Sequence, residues 1–150
     1  MKGDAVPDPD HISRWCGGSH VNPETGAPAP GAFMLRPADK DRSLSVNWLE
    51  FLRQLDRQSE ISEIQRILAK KLRVGSRSRI AVLNVFRSRV SVSRKTSGRI
   101  AISVEHDPVS MPDVWDDPSH SGIYGLPLEE SDEPAIALAE AVIEIHPAVG

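Results

Sequence analysis

The sequence predicts an α+β fold in one domain, and three observations carry that prediction. Proline is confined to the two ends: six lie in residues 1–37, six in 108–147, and none between Ala38 and Asp107. Proline fixes φ and removes a backbone donor, so regular structure belongs mostly in 38–107. Within that stretch, apolar residues first recur at helical spacing and then alternate with period two. The elements come in runs of helix and of strand rather than in βαβ alternation, which separates α+β from α/β. A length of 150 residues suits a single domain, 1–150.

The elements follow in chain order. Residues 1–8 are expected to be mobile, as termini without apolar anchors are. Ala32-Phe33-Met34-Leu35, closed by Arg36-Pro37, predicts a short strand. Asn47-Trp48-Leu49-Glu50 has the form of a capping box, with Val46 and Phe51 as its hydrophobic staple, and predicts a helix over 48–56. Ile61, Ile64, Ile67, Leu68 and Leu72 form one stripe and predict a helix over 60–73, ended by Lys70, Lys71, Arg73 and Gly75. Arg79 to Phe86 is apolar on both faces and predicts a buried strand over 79–86. Val90 and Val92, then Ile100, Ile102 and Val104, alternate with polar residues. With Thr96-Ser97-Gly98 as a three-residue loop, they predict a hairpin over 88–106 that sets Val92 opposite Ile102. Residues 107–130 carry turn chemistry and predict irregular chain. Ser131 and Pro134 open a last helix over 132–145, with His146 as its C-terminal cap.

Composition excludes several classes. The longest apolar run, Ala135 to Ala139, is far too short to span a bilayer. The opening Met1-Lys2-Gly3-Asp4 leads into no apolar h-region, and the single Cys16 cannot form an internal disulfide, so a cytoplasmic location without membrane contact is expected. No fixed-period repeat is present. G-x-S-x-G, P-loop, H-E-x-x-H, G-x-G-x-x-G and paired C-x-x-C motifs are all absent, and no cofactor or metal is expected.

Charge is segregated along the chain. Residues 66–99 hold 11 of the 18 basic residues and no acid, whereas residues 100–150 hold 11 acids and no base. On the predicted hairpin, Arg87, Arg89 and Lys95 alternate with serines on the outward face, Arg99 lies across from Lys95, and Arg77 and Arg79 stand at the entry strand. Such a surface suits phosphates or an acidic protein. The competing reading neutralises it inside the fold, with Arg89 opposite Glu105, Arg87 near Asp107 and the acidic last helix along the basic edge. A pI of about 5.9 and 5% aromatics argue against a dedicated nucleic-acid module.

Two loops hold candidate chemistry. In 11–20, His11, Cys16 and His20 have metal-like spacing, but no fourth ligand is near, and Gly17-Gly18 opposes a helical arrangement. His11, Arg14 and His20 make this a second candidate cluster, against the plainer reading of a turn plugged by Trp15 and Cys16. In 113–125, His120 can serve as general acid or base with Tyr124 as donor and Asp117 as its partner. Asp113, Asp116 and Asp117 with His120 can equally hold a hard cation, and Asp-Pro-Ser is also ordinary turn chemistry. His106, if it shares a face with Val104, is a satisfied edge histidine.

His-x-Ser-Arg-Trp-Cys at 11–16, Phe-x-Leu-Arg at 33–36, Ser-Val-Asn-Trp-Leu-Glu at 45–50 and Asp-Pro-Ser-His-x-Gly-Ile at 117–123 together resemble a set of small uncharacterised bacterial proteins. No activity is attached to that set, so the resemblance implies no residue roles. The expectation is an accessory or regulatory binding protein whose basic hairpin meets an acidic protein or nucleic acid. The alternative is a small enzyme acting on a phosphate-bearing substrate through His120.

Overall fold

A computed structural model of the chain describes residues 2–36, 43–128 and 132–150. The α+β class holds: three α-helices pack on an antiparallel six-stranded sheet, and a two-stranded hairpin stands beside it. The sheet strands are β1 (His11–Cys16), β2 (Leu44–Trp48), β3 (Arg79–Asn84), β4 (Ser103–His106), β7 (His120–Tyr124) and β8 (Glu144–Pro147), in the spatial order β4-β7-β2-β1-β3-β8. The hairpin pairs β5 (Val109–Met111) with β6 (Trp115–Asp117). The helices are α1 (Arg57–Lys71), α2 (Val85–Lys95) and α3 (Asp132–Ala141).

The alternation of side chains along each strand divides the core in two. One face carries Ile12, Leu44, Val46, Ala81, Leu83, Val104 and Ile123, and α2 and α3 cover it with Val85, Val92, Ala135 and Leu138. The other carries Ile80 and Val82, and α1 covers it with Ile61, Ile64 and Leu68. α1 is the helix that the isoleucine stripe predicts. Its cap is Asp56, whose carboxylate accepts the Ser59 N–H at 2.8 Å, and it stops at Lys71.

The predicted hairpin over 88–106 is not formed, because its first arm is α2. Val85, Ser88, Val92 and Thr96 are the buried positions, spaced three, four and four apart, and Asn84 caps the helix by accepting the Arg87 N–H at 2.9 Å. Thr96-Ser97-Gly98 terminates this helix. Ser97 and Gly98 both take positive φ, and the Gly98 N–H donates to the Ser93 carbonyl at 2.8 Å, closing the last turn. The same turn residues serve a helix end as well as a hairpin. The preceding strand is as predicted but ends at Asn84.

The helix predicted over 48–56 is also replaced. Leu44–Trp48 is strand β2, followed by one 3₁₀ turn, Glu50–Leu52. Glu50 does not cap Asn47; its carboxylate accepts the His11 N–H at 2.7 Å and pairs with His11 Nδ1 at 2.6 Å. Ala32 to Leu35 is no strand, since Pro30–Phe33 forms a 3₁₀ turn that buries Phe33. The last helix ends at Ala141, and 144–147 returns as strand β8 beside β3, so His146 pairs with Glu144 on that strand instead of capping α3. The Ser131 cap lies outside the described residues. The described part of the stretch expected to be irregular, residues 107–128, instead holds β5, β6 and β7, and β7 lies within the sheet between β4 and β2. In the opening segment, Ala5 bridges to Glu105, and the Gly3 and Val6 N–H groups donate to the His106 and Val104 carbonyls at 2.7 and 2.9 Å. These contacts cover the outer edge of β4.

Candidate functional site

The sheet scatters the histidines. His11 lies on the α1 face of β1 with Glu50. His106 lies on the opposite face, beside Val104 as an edge histidine: its Nε2 is 2.7 Å from the Pro118 carbonyl and its ring packs on Trp48 and Phe51. His20 is exposed at the end of a 3₁₀ turn, and Arg14 ties the Pro30–Phe33 turn to β2 through the Ala32 and Ser45 carbonyls, both at 2.9 Å. The cluster of His11, Arg14 and His20 is therefore not assembled into one cleft. Cys16 is buried, and loss of solvent pushes its thiol up to about 11. Among the described residues no group of three or more His, Cys, Asp or Glu side chains can hold a metal ion.

His120, Tyr124 and Asp117 do not meet either. His120 and Tyr124 point to the same face of β7 but stand about 13 Å apart along the strand. His120 Nδ1 is 2.7 Å from the Asp107 carbonyl. Asp117 is fully buried: it pairs with Lys71 Nζ at 2.7 Å and accepts from Asn47 Nδ2 at 2.7 Å and Ser119 Oγ at 3.3 Å. Lys71 also sits 4.8 Å above the Trp115 ring. These bonds fasten α1, β2 and the β6–β7 turn together. A carboxylate that satisfied, with no solvent exposure, has no lone pair aimed at a substrate.

The basic residues divide into paired and unpaired sets. Arg89 pairs with Asp8 at 2.7 Å, Lys95 with Glu140 at 2.9 Å and Arg99 with Glu133 at 2.9 Å. The acidic last helix thus does lie along the basic segment, but through these partners instead of Glu105 and Asp107. Arg79 donates to the Ser76 and Ser78 carbonyls. Arg77, Arg87 and Arg94 have no side-chain partner among the described residues.

Arg87 and Arg94 flank a surface concavity. A groove of about 950 Å³ runs between α2 and the connection from α3 to β8. Val90, Ala141 and Val142 line it, and Phe86 and Ile143 stand at it 53% and 40% exposed. Two guanidiniums without acidic partners among the described residues therefore stand beside exposed apolar side chains. Sequence reading missed Phe86, Val90, Arg94 and Ile143 as a set. The available signal was the helical spacing of Phe86, Val90 and Arg94, hidden by the alternation of Val90 and Val92 with serine and arginine.

The open sheet edge beside this groove is a poor template for strand addition. Ala148 donates inward to the Ser78 carbonyl, so by alternation Ile145 and Pro147 face outward, and Pro147 has no N–H to offer. Compared with protein-family models, curated proteins and solved structures, the chain matches none. No helix among the described residues is long and apolar enough to cross a membrane.

Proposed function

We propose that this chain is an accessory or regulatory binding protein that captures an apolar, acidic protein segment in the groove between α2 and the α3–β8 connection. The observation that carries this reading is the pair Arg87 and Arg94, left without acids on a helix whose other cations are paired, beside the exposed Phe86 and Ile143. Aromatic and arginine side chains around an apolar floor are what protein interfaces enrich. A phosphate backbone would gain nothing from that apolar floor. The scattered histidines and the fully bonded Asp117 weigh against the enzymatic alternative.

The test compares two double variants. A labelled peptide of mixed Glu, Leu and Phe is titrated against the wild type, Arg87→Glu/Arg94→Glu and Arg89→Glu/Arg99→Glu, in parallel with single-stranded and duplex DNA and RNA at two salt concentrations. The peptide is expected to bind the wild type and the second variant, and to lose about tenfold or more on the first. Tight, steeply salt-dependent nucleic-acid binding that falls in both variants would replace this reading with a phosphate-backbone one.

A further inference from the structure

On its opposite side the molecule carries a hairpin turn with the apolar and acidic chemistry proposed above for the groove's ligand. The turn between β5 and β6 is Pro112-Asp113-Val114, closed by the Val114 N–H donating to the Met111 carbonyl at 3.0 Å. Met111 and Val114 are 49% and 59% exposed, which the core does not require. Asp113 and Asp116 are exposed and have no side-chain partner among the described residues. The tip therefore offers two apolar side chains and two unpaired acids, matching the exposed apolar pair and two unpaired arginines of the groove. The hairpin is held to α1 through Trp115 and Lys71, whereas the groove is built on α2, and these helices cover opposite faces of the sheet. One copy cannot fill its own groove.

We infer that the groove's occupant is the β5–β6 tip of a second copy, with Met111 and Val114 on the apolar floor and Asp113 and Asp116 at Arg87 and Arg94. This inference rests on the groove reading above and names its partner. The two surfaces differ, so the contact is heterologous, and successive copies add head to tail. The contact area of a hairpin tip places it among weak, concentration-dependent interfaces, and its charge pairs make it sensitive to salt.

Sedimentation of the whole chain over a concentration series up to the sub-millimolar range tests it. The wild type is expected to rise above the 16.4 kDa of one chain with concentration and to return toward it in high salt. Asp113→Asn/Asp116→Asn removes the tip charges while keeping a residue type that tolerates the positive φ of Asp113, and is expected to weaken association about tenfold. Arg87→Glu/Arg94→Glu is expected to do at least as much. Mixing Val114→Glu, which keeps a groove, with Arg87→Glu/Arg94→Glu, which keeps a tip, is expected to give a 1:1 pair that grows no further. A wild type that stays monomeric, or that associates equally well with the tip altered, overturns the inference. In either case, continued capture of the acidic peptide by the wild type leaves the groove reading standing, whereas loss of both removes the two together.

Discussion

At the scale of single residues, a buried charge is decided by what surrounds it. Asp117 ends strand β6 in a stretch whose sequence suggests either catalysis or turn chemistry. Its partners Asn47 and Lys71 lie 70 and 46 positions away, so no local pattern can reveal them. Removing one member of a buried pair leaves the other uncompensated, and that loss exceeds what the pair itself contributes. Lys71→Met is expected to destabilise the chain by about 3 kcal/mol in urea denaturation. Lys71→Met/Asp117→Asn should recover part of that loss, because no net charge then remains buried. A Lys71→Met variant of wild-type stability would contradict the assignment. Cys16 follows the same logic with the opposite sign of charge preference. Burial raises its thiol from 9.0 to about 11, so it is protonated and sheltered at neutral pH. A thiol-reactive dye should label it slowly in the native chain and at once in denaturant. Above pH 9.0 the unfolded chain releases this proton while the folded chain keeps it, so this contribution to stability declines as pH rises.

At the scale of elements, the sequence is legible where one face is strongly patterned and ambiguous where two periods fit the same residues. The isoleucines of α1 and the continuous apolar run of β3 allow only one reading each. Residues 85–96 allow two, because Val90 and Val92 alternate while Val85, Ser88, Val92 and Thr96 keep helical spacing. The buried serine made the second pattern hard to see; its hydroxyl is satisfied by the Asn84 carbonyl at 2.8 Å. Asn47 shows how a local motif yields to tertiary context. Its register opposite Ser13 and His120 fixes it in the sheet, and its amide donates to Asp117 and to Ser119 Oγ, at 2.7 and 2.9 Å. Of the candidate site, the basic residues were legible as a segment but not as a groove, since the groove needs the α3–β8 connection. Asn47→Ala is therefore expected to cost about 2 kcal/mol through lost buried hydrogen bonds. Asp56→Ala, which removes the true cap of α1, is expected to cost about 1 kcal/mol. A double-mutant cycle separates the two accounts of Asn47: coupling to Asp117 with none to Glu50 supports the sheet assignment, and the reverse pattern would restore the capping box.

At the scale of the whole molecule, the segregated charges of the sequence meet across the fold, and the resulting acid response has a definite sign. Lys95–Glu140, Arg99–Glu133 and Lys71–Asp117 join the basic and acidic segments, but the first two are exposed and contribute roughly 0–1 kcal/mol each. The pH dependence comes from a smaller set of groups. Asp56 is held below 3.8 by the Ser59 N–H and hydroxyl. Glu63 is held below 4.5 by Arg66, and burial of Glu144 is outweighed by His146 and Arg57, which bring it below 4.5 as well. For these three the folded chain binds protons less readily than the unfolded one. Their contribution is therefore complete above the ordinary carboxylate values and is lost as pH falls through the folded ones. Glu60 runs the other way: burial raises it above 4.5 against the pull of Arg57, so its contribution declines as pH rises through that window. Three groups outnumber one, and urea denaturation midpoints are expected to change little around neutrality and to fall progressively below about pH 4.5. Glu60→Gln removes the opposing member, so this variant should gain more stability than the wild type between about pH 4.5 and pH 7. A smaller gain in the variant would mean that Arg57 holds Glu60 charged more strongly than burial disfavours it. The network linking α1 to β8 through Arg57 and Glu144 would then set the acid limit of the fold.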